Sequence, residues 1–550
     1  MDSTPPIHNS GSTGAYLSIP VEELMQLRLV ALGTQVPSLI IRGAKILALH
    51  TGQLLERDVV INGRHIAAIT PWNHFSDAKK EINATSKFVS PGFIDAHIHV
   101  EYTKLVSGEL ARLSVPRATL GESNPFSLDL ASAQKQAAAL HAGKRITGHS
   151  ALLVNEPLWA YAAGGIDDDH NVHQPHNVVE RLRLGMMLTV MSGSMNSNIE
   201  SVFSDIPLLK DGLGHVSFCA DDKLAEDLDS EGHIDHHVRI AIGLGVKPMA
   251  AYKMATLNAA AYYPNGVLVA ESNQALFNNS DDIPEFALNS IHINPCFQDA
   301  SAFRVEPKEG KKQAWVQAME MYDGYFKRAF HTLLPLSSSG SIEGDTSIDV
   351  LKVIVIDRHH GTNNCGIGFV RGFGLEQGAI ACTSNCENQN LVVIGTSDRE
   401  IAGAVRAIAA LGGGFAAVLD GKLLGSVRLD VAGCMASGTW ECVRDDSIAC
   451  DEAATTLGCK VKSPFMIMSF VGLVAVPDLG LTEMGLVDCK TQGLMDVVLQ
   501  DHMEAETVLD TKQRSPVRVC YRCPSHAHEV HKMISATVAQ QSLPSSLSMY

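Results

Sequence analysis

The sequence predicts an α/β protein: a TIM-like barrel, a small flanking β-sandwich ahead of it, and a further α/β domain behind it. Three observations predict this. Residues 89–101, Val-Ser-Pro-Gly-Phe-Ile-Asp-Ala-His-Ile-His-Val-Glu, read as an apolar strand that follows a Pro-Gly turn and ends in chemistry-bearing side chains, as barrel strands do at their carboxyl ends. Residues 38–70 alternate apolar runs with turns, and Asn62-Gly63 between two of the runs is a strong hairpin signal. Residues 391–421 read as strand, helix and strand.

In chain order, residues 1–37 are polar, with a short helical stretch near Val21 to Leu32, and are expected to form an amino-terminal extension. Residues 38–88 are the β-sandwich, with residues 265–305 as the candidate segment that completes it. The barrel is expected over 89–264. In the carboxyl-terminal α/β domain, expected over 345–488, Leu391-Val-Val-Ile is a short buried-type strand, and Ser397 with Glu400 three positions on is a capping box. Ile401, Val405, Ile408 and Leu411 then share one helical face, Gly412 to Gly414 end the helix, and Asp420-Gly421 makes a turn. The glycines of Gly366-Ile-Gly-Phe-Val-Arg-Gly have the wrong spacing for a dinucleotide loop and are read as backbone packing. In the extension 489–550, Cys520-Tyr-Arg-Cys523 with His526, His528 and His531 has zinc-like spacing, but one cysteine pair seldom makes a site, and a flexible tail is the favoured reading.

Composition narrows the function. With 550 residues and 45% hydrophobic content, the chain can bury cores for two or three domains. A formal net charge of -17 repels phosphate backbones, and no basic cluster interleaved with aromatics offsets it, so nucleic acid is not an expected partner. The twelve cysteines are scattered, and the start, Met-Asp-Ser-Thr-Pro-Pro, lacks the basic and apolar regions of a signal peptide, so reduced thiols in the cytoplasm are expected. The longest apolar stretch, Pro464 to Val476, is too short for a bilayer, and no membrane role is expected.

The chemistry begins at His97 and His99. Side chains at i and i+2 of a strand point the same way, so both imidazoles can reach one ion. The alternative is a pair of satisfied surface histidines; the Pro-Gly turn before the strand and the carboxylates after it favour the metal.

Further blocks follow in order. Gly148-His149-Ser150, then Ala163-Gly-Gly-Ile-Asp-Asp-Asp-His170, then Cys219-Ala-Asp-Asp-Lys223 and Glu231-Gly-His-Ile-Asp235 each resemble blocks of the adenine deaminase branch of the amidohydrolase superfamily. Residues 349–374 and 391–487 resemble the carboxyl-terminal domain of those deaminases. The resemblance implies a metal-dependent hydrolase that removes the exocyclic amine of a purine base. It implies His97, His99, His149, His170 and Asp221 as metal ligands, with manganese or iron as the ion and zinc as the further candidate. Asp221 is the expected proton shuttle, Asp222 the neighbour that competes for that role, and His233 and Ser194 the expected substrate contacts.

The resemblance also exposes departures. The strings Asp-Pro-His-Glu and Glu-Met-Met, which the family carries in strands two to four, are absent, and residues 116–124 look like a join across that part of the barrel. Glu122 is then the candidate bridging ligand of a binuclear centre, against the alternative of a solvated loop glutamate. A barrel short of part of strands two to four has an open edge, which a different closure or a partner copy in a homo-oligomer would have to cover, unless the missing segment is a gene-reading error. Met191-Ser-Gly-Ser194 stands where the family has Arg-Glu-Gly-Ser, and Cys386-Glu-Asn-Gln-Asn390 where it has His-Asp-Ser-His-Asn. Two further readings therefore stand beside adenine deamination: another cyclic amidohydrolase with an altered substrate, and a catalytically inactive relative.

Overall fold

The structure, a computed structural model, describes residues 20–114, 146–262 and 283–499, less 64, 151–152, 210–211, 289, 308–312, 323, 325, 387, 475–477 and 490, together with 270–271 and 274–275. A helix over Val21–Ala31 lies where the periodicity predicts it and places Val30 in a small apolar cluster with Ile40 and Val60. Those two belong to a five-stranded sheet. Strands β1 (Leu39–Ala48), β2 (Gln53–Asn62) and β3 (His65–Thr70) pair antiparallel, and β4 (Glu81–Asn83) and β5 (Phe88–Val89) run parallel to β1. Gly63, at φ +58°, turns the chain between β2 and β3, as the Asn-Gly signal requires.

The expected completion of this sheet by residues 265–305 is corrected for the described part of that span. There β6 (Ala270–Glu271) pairs with β7 (Gln274–Ala275), and residues 295–303 lie on the carboxyl-terminal domain. The reason is local. Asn294 and Asp299 cap two tight 3-10 turns by accepting from Cys296 N and Ser301 N, and the turns present Phe297 and Phe303 together to Ile354, Ile356 and Val393.

The barrel portion is a set of parallel strands with helices between them. Strands β8 (Asp168–Asp169), β9 (Met187–Met191) and β10 (Val216–Cys219) pair in that order. Parallel bridges Ile146↔Ile166 and Ile98↔Asp221 extend the array on both sides, so His149, His170, Asp221 and the His97–His99 segment all leave the same end. Helices Asn155–Ala163, Pro175–Arg183 and Ile234–Gly243 alternate with the strands, which is the strand and helix alternation of a TIM-barrel-like fold. Apolar residues of β9 and β10 pack outward on these helices, with Leu188, Val190, Val216 and Phe218 against Val178, Ile234 and Val238. The segment 115–145, with Glu122 and the expected join, lies outside the described residues.

The carboxyl-terminal domain is built on one eight-stranded sheet. Its strands are β11 (Gln313–Tyr322), β12 (Phe326–Pro335), β13 (Leu351–Ile356), β14 (Cys365–Arg371), β15 (Ala379–Cys382), β16 (Leu391–Gly395), β17 (Gly414–Leu419) and β18 (Lys422–Arg428), in the order β12-β11-β14-β13-β16-β15-β17-β18. The domain therefore begins before the expected residue 345. It also ends after the expected 488, because Val497 and Val498 pack at the β11 edge, with Gln317 N donating to Val497 O and Leu499 N to Trp315 O. Central strands are buried on both faces. Ile354, Ile356 and Val393 face the helix Asp398–Leu411, while Val353, Val355, Val392 and Ile394 face a larger core that includes Leu105, Leu110, Leu224 and Leu228 from the barrel loops. The barrel and this domain thus share one apolar core.

Two local readings meet their geometry here. Ser397 Oγ accepts from Glu400 N at 3.3 Å, but the Glu400 carboxylate accepts from Asp420 N at 2.9 Å, so only half of the capping box forms. At Gly366 an added Cβ would lie 1.9 Å from Thr482 O, so the glycine serves close backbone packing against the hairpin Leu479–Asp488.

Candidate metal centre and active site

His97 and His99 stand two apart on a segment that pairs with the end of β10. Asp221 N donates to His97 O at 3.0 Å and His99 N to Asp221 O at 3.1 Å, so the two strand ends are locked in register. Asp221 adopts a left-handed backbone, φ +54°, a cost that the surrounding hydrogen bonds offset at the place where its carboxylate meets the imidazoles. His97 Nε2 lies 3.3 Å from His99 Nε2 and 3.3 Å from Asp221 Oδ1, and His99 Nε2 lies 3.6 Å from the same oxygen. Of the six expected ligands, these three form one convergent group.

His170 flanks it. Its ring stacks on His97 with centroids 4.3 Å apart, and its Nε2 is 4.0 Å from Asp221 Oδ1, buried and without a hydrogen-bond partner among the described residues. His149 follows behind, its ring centroid 4.1 Å from that of His170 and its Nδ1 3.0 Å from Asn171 Nδ2. Three ligand atoms aimed at one point, beside an orphaned buried imidazole nitrogen, suit a divalent cation better than a hydrogen-bonded cluster.

At Asp221, His149 and His170 the electrostatics agree, whereas His99, which burial lowers but Glu101, Asp222 and Asp221 raise, is pushed up to about 10. Burial opposes the Asp221 charge, yet the hydrogen bond to His97 and the nearby histidines hold its carboxyl well below the usual carboxylate range. Burial and the repulsion of Asp221 push Asp222 up to about 7. Burial, with His149 and His97 as neighbours, drives His170 well below the ordinary imidazole value, and burial lowers His149 as well. Both are therefore kept neutral, the form that ligates a metal.

Other expected site residues fall differently. His233 is fully buried, with Nε2 2.5 Å from Asp95 Oδ2. Asp95 also accepts from His97 N and Ala220 N, and the pair braces the two strand ends that carry His97 and Asp221. Ser194 stays at the rim, its N donating to Asp222 O at 2.8 Å and its Oγ accepting from Leu224 N at 2.8 Å. Glu122 lies outside the described residues.

Sequence reasoning missed the support beneath His149 and His170. Asp169 and Arg181 are fully buried and paired at 2.8 Å, and Asp169 also holds Ser150 Oγ, Ser150 N and Asn171 N. Asp169 was readable as a neighbour of His170. Nothing local marks Arg181, which comes from the following helix.

Comparison with known proteins follows the same lines. The profile of the adenine deaminase C-terminal domain matches residues 329–493. An adenine deaminase from Dehalococcoides mccartyi is 28% identical over 572 residues, covering 85% of this chain and 98% of its own. One from Methylobacterium nodulans is 30% identical over 558 residues, covering 84% and 98%. Among solved structures, a beta-aspartyl dipeptidase from Fervidobacterium islandicum AW-1 is 11% identical over 40% of this chain and 86% of its own, with a TM-score of 0.27, too low to bear on the fold. With the convergent His97, His99 and Asp221 in place, and a relative at 30% identity matched over 98% of its length, the chain belongs to the adenine deaminase family.

Proposed function

We propose that the protein catalyses metal-dependent hydrolytic deamination of adenine to hypoxanthine and ammonia. The convergence of His97, His99 and Asp221, in a chain of this family, carries the reading. A divalent ion in such a cage supplies an acidified water at neutral pH. Manganese or iron is the proposed ion, with zinc as the further candidate, and a second ion would require His149, His170 and Glu122 as ligands.

The chain's own groups handle the protons and the base. Asp221, ionised and at the centre of the ligand set, is the group that takes a proton from the attacking water. Asp222, with a carboxyl near 7, can hold a proton at neutral pH and donate it toward the leaving nitrogen. Ser194, whose backbone N donates to Asp222 O, is the proposed hydroxyl donor to a ring nitrogen of the purine.

A shortened barrel is part of the proposal. The Dehalococcoides alignment runs over 572 positions but draws on 85% of 550 residues, so roughly a hundred positions have no counterpart here. That supports a deletion, which we place within strands two to four from the order of the motifs, and it is the observation that favours the competing reading, an inactive relative.

The test is conversion of adenine to hypoxanthine by the manganese-loaded protein, followed by ultraviolet absorbance with a metal-free control. Metal-dependent turnover is expected. A folded, metal-bearing protein that leaves adenine unchanged would overturn the substrate, and a folded protein that binds no metal would favour the inactive relative.

A further inference from the structure

His99 divides its two ring nitrogens. Nε2 faces His97 and Asp221, while Nδ1 lies 3.4 Å from Glu101 Oε1. A ligating imidazole works only when the nitrogen that faces the ion is unprotonated, and a carboxylate on the far nitrogen enforces that tautomer and the ring's orientation. Glu101 is suited to the task by position: it follows His99 by two residues and lies in the first turn of the 3-10 helix Val100–Thr103, with its carboxylate against the ring.

Behind Glu101 stands a buried cation. Lys104 is 1% exposed, and its Nζ donates to Ser384 Oγ of the carboxyl-terminal domain at 2.9 Å and lies over the rings of Tyr102 and Phe415, 4.7 and 5.4 Å from their centroids. Its backbone is left-handed, φ +62°, and pinned across the domain junction, with Ala436 N donating to Lys104 O at 2.9 Å and Lys104 N donating to Glu101 O at 3.2 Å. A buried ammonium with so few conventional partners is costly to keep, and none of the proposed proton transfers uses it.

We infer that Glu101 is a positioning residue that holds His99 with Nε2 toward the ion, and that Lys104, anchored on Ser384 and on Ala436 N, fixes the short turn that carries Glu101, so that the carboxyl-terminal domain sets the geometry of a barrel metal ligand. The inference rests on the metal reading of the site. It assigns to the domain junction a role in metal affinity.

The experiment measures manganese affinity by chelator competition in the full-length protein, alongside the melting temperature of each metal-free variant. Glu101→Ala is expected to weaken manganese binding about 10- to 100-fold, with Glu101→Gln intermediate because its amide oxygen still accepts from Nδ1–H. Lys104→Met should weaken it less, and the double variant should bind no worse than Glu101→Ala, since loosening the turn acts on His99 only through the Glu101 carboxylate. The metal-free melting temperature of the Glu101 variants should stay within about 2 °C of the wild type, because the Glu101 side chain is partly in water. Wild-type affinity in Glu101→Ala would overturn the inference alone. A wild type that binds no manganese would overturn the metal reading and the inference together, and fully additive losses would overturn the role of Lys104.

Discussion

Replacing Arg181 with Met tests whether buried charge holds up the histidine-bearing strands. The guanidinium is fully buried and meets Asp169 Oδ2 at 2.8 Å, Ser150 Oγ at 3.0 Å, Leu153 O at 3.0 Å and Asn177 O at 3.2 Å. Methionine fills much of the same volume but leaves the Asp169 carboxylate buried without its counter-charge, which costs about 3–5 kcal/mol. The stranded Leu153 carbonyl adds about 1 kcal/mol, whereas Asn177 O sits within its own helix and loses less. A loss of about 4–6 kcal/mol approaches the whole stability of many domains, so the barrel portion should open well before the carboxyl-terminal sheet. Urea titration, read by tryptophan fluorescence and by metal content across the same range, measures it. The paired change Asp169→Leu with Arg181→Met should recover most of the loss, because an apolar pair replaces both charges. A single variant within about 1 kcal/mol of the wild type, or a double variant less stable than the single, would refute the reasoning.

Three further outcomes are expected. His97→Ala should lower bound manganese to a small fraction of the wild type, and Asp221→Asn should abolish turnover and also weaken metal binding, since Asp221 Oδ1 faces both His97 and His99; metal analysis of dialysed protein checks both. Gly366→Ala should cost about 2–3 kcal/mol in urea unfolding, because its Cβ would overlap Thr482 O and push the hairpin off the sheet. Burial and the Asp227 charge push Asp451 up to about 7, while in the unfolded chain it titrates near 4, so the folded state holds the proton longer and stability falls as pH rises from about 4 to 7. Asp451→Asn should therefore stabilise the fold more at pH 8 than at pH 4, by about 1–2 kcal/mol once partial solvent contact is allowed for, and equal melting-temperature shifts at both pH values would contradict this.

Much of the site was legible because its rules are local. Strand parity alone sets His97 and His99 on one face, and Asp95, two residues ahead, obeys the same parity. The Asn62-Gly63 hairpin, the Ser397 cap with its helix and the Asp420-Gly421 turn likewise follow from residues within a few positions of one another. What local pattern could not reach is who answers a buried group across the fold. Glu400 was free to close its capping box but found Asp420 N instead, and His233, read as a substrate contact, lies buried against Asp95.

The sequence by itself determined the strand ends that bear the ligands, the order in which they come and the family to which they belong. Only the tertiary structure decided that Phe297, Phe303, Val497 and Val498 belong to the carboxyl-terminal domain, that Arg181 supports Asp169, and that Lys104 joins two domains beside a metal ligand. Periodicity and turn chemistry act between near neighbours in the chain, whereas burial and charge pairing act between near neighbours in space, and only folding makes those neighbours known.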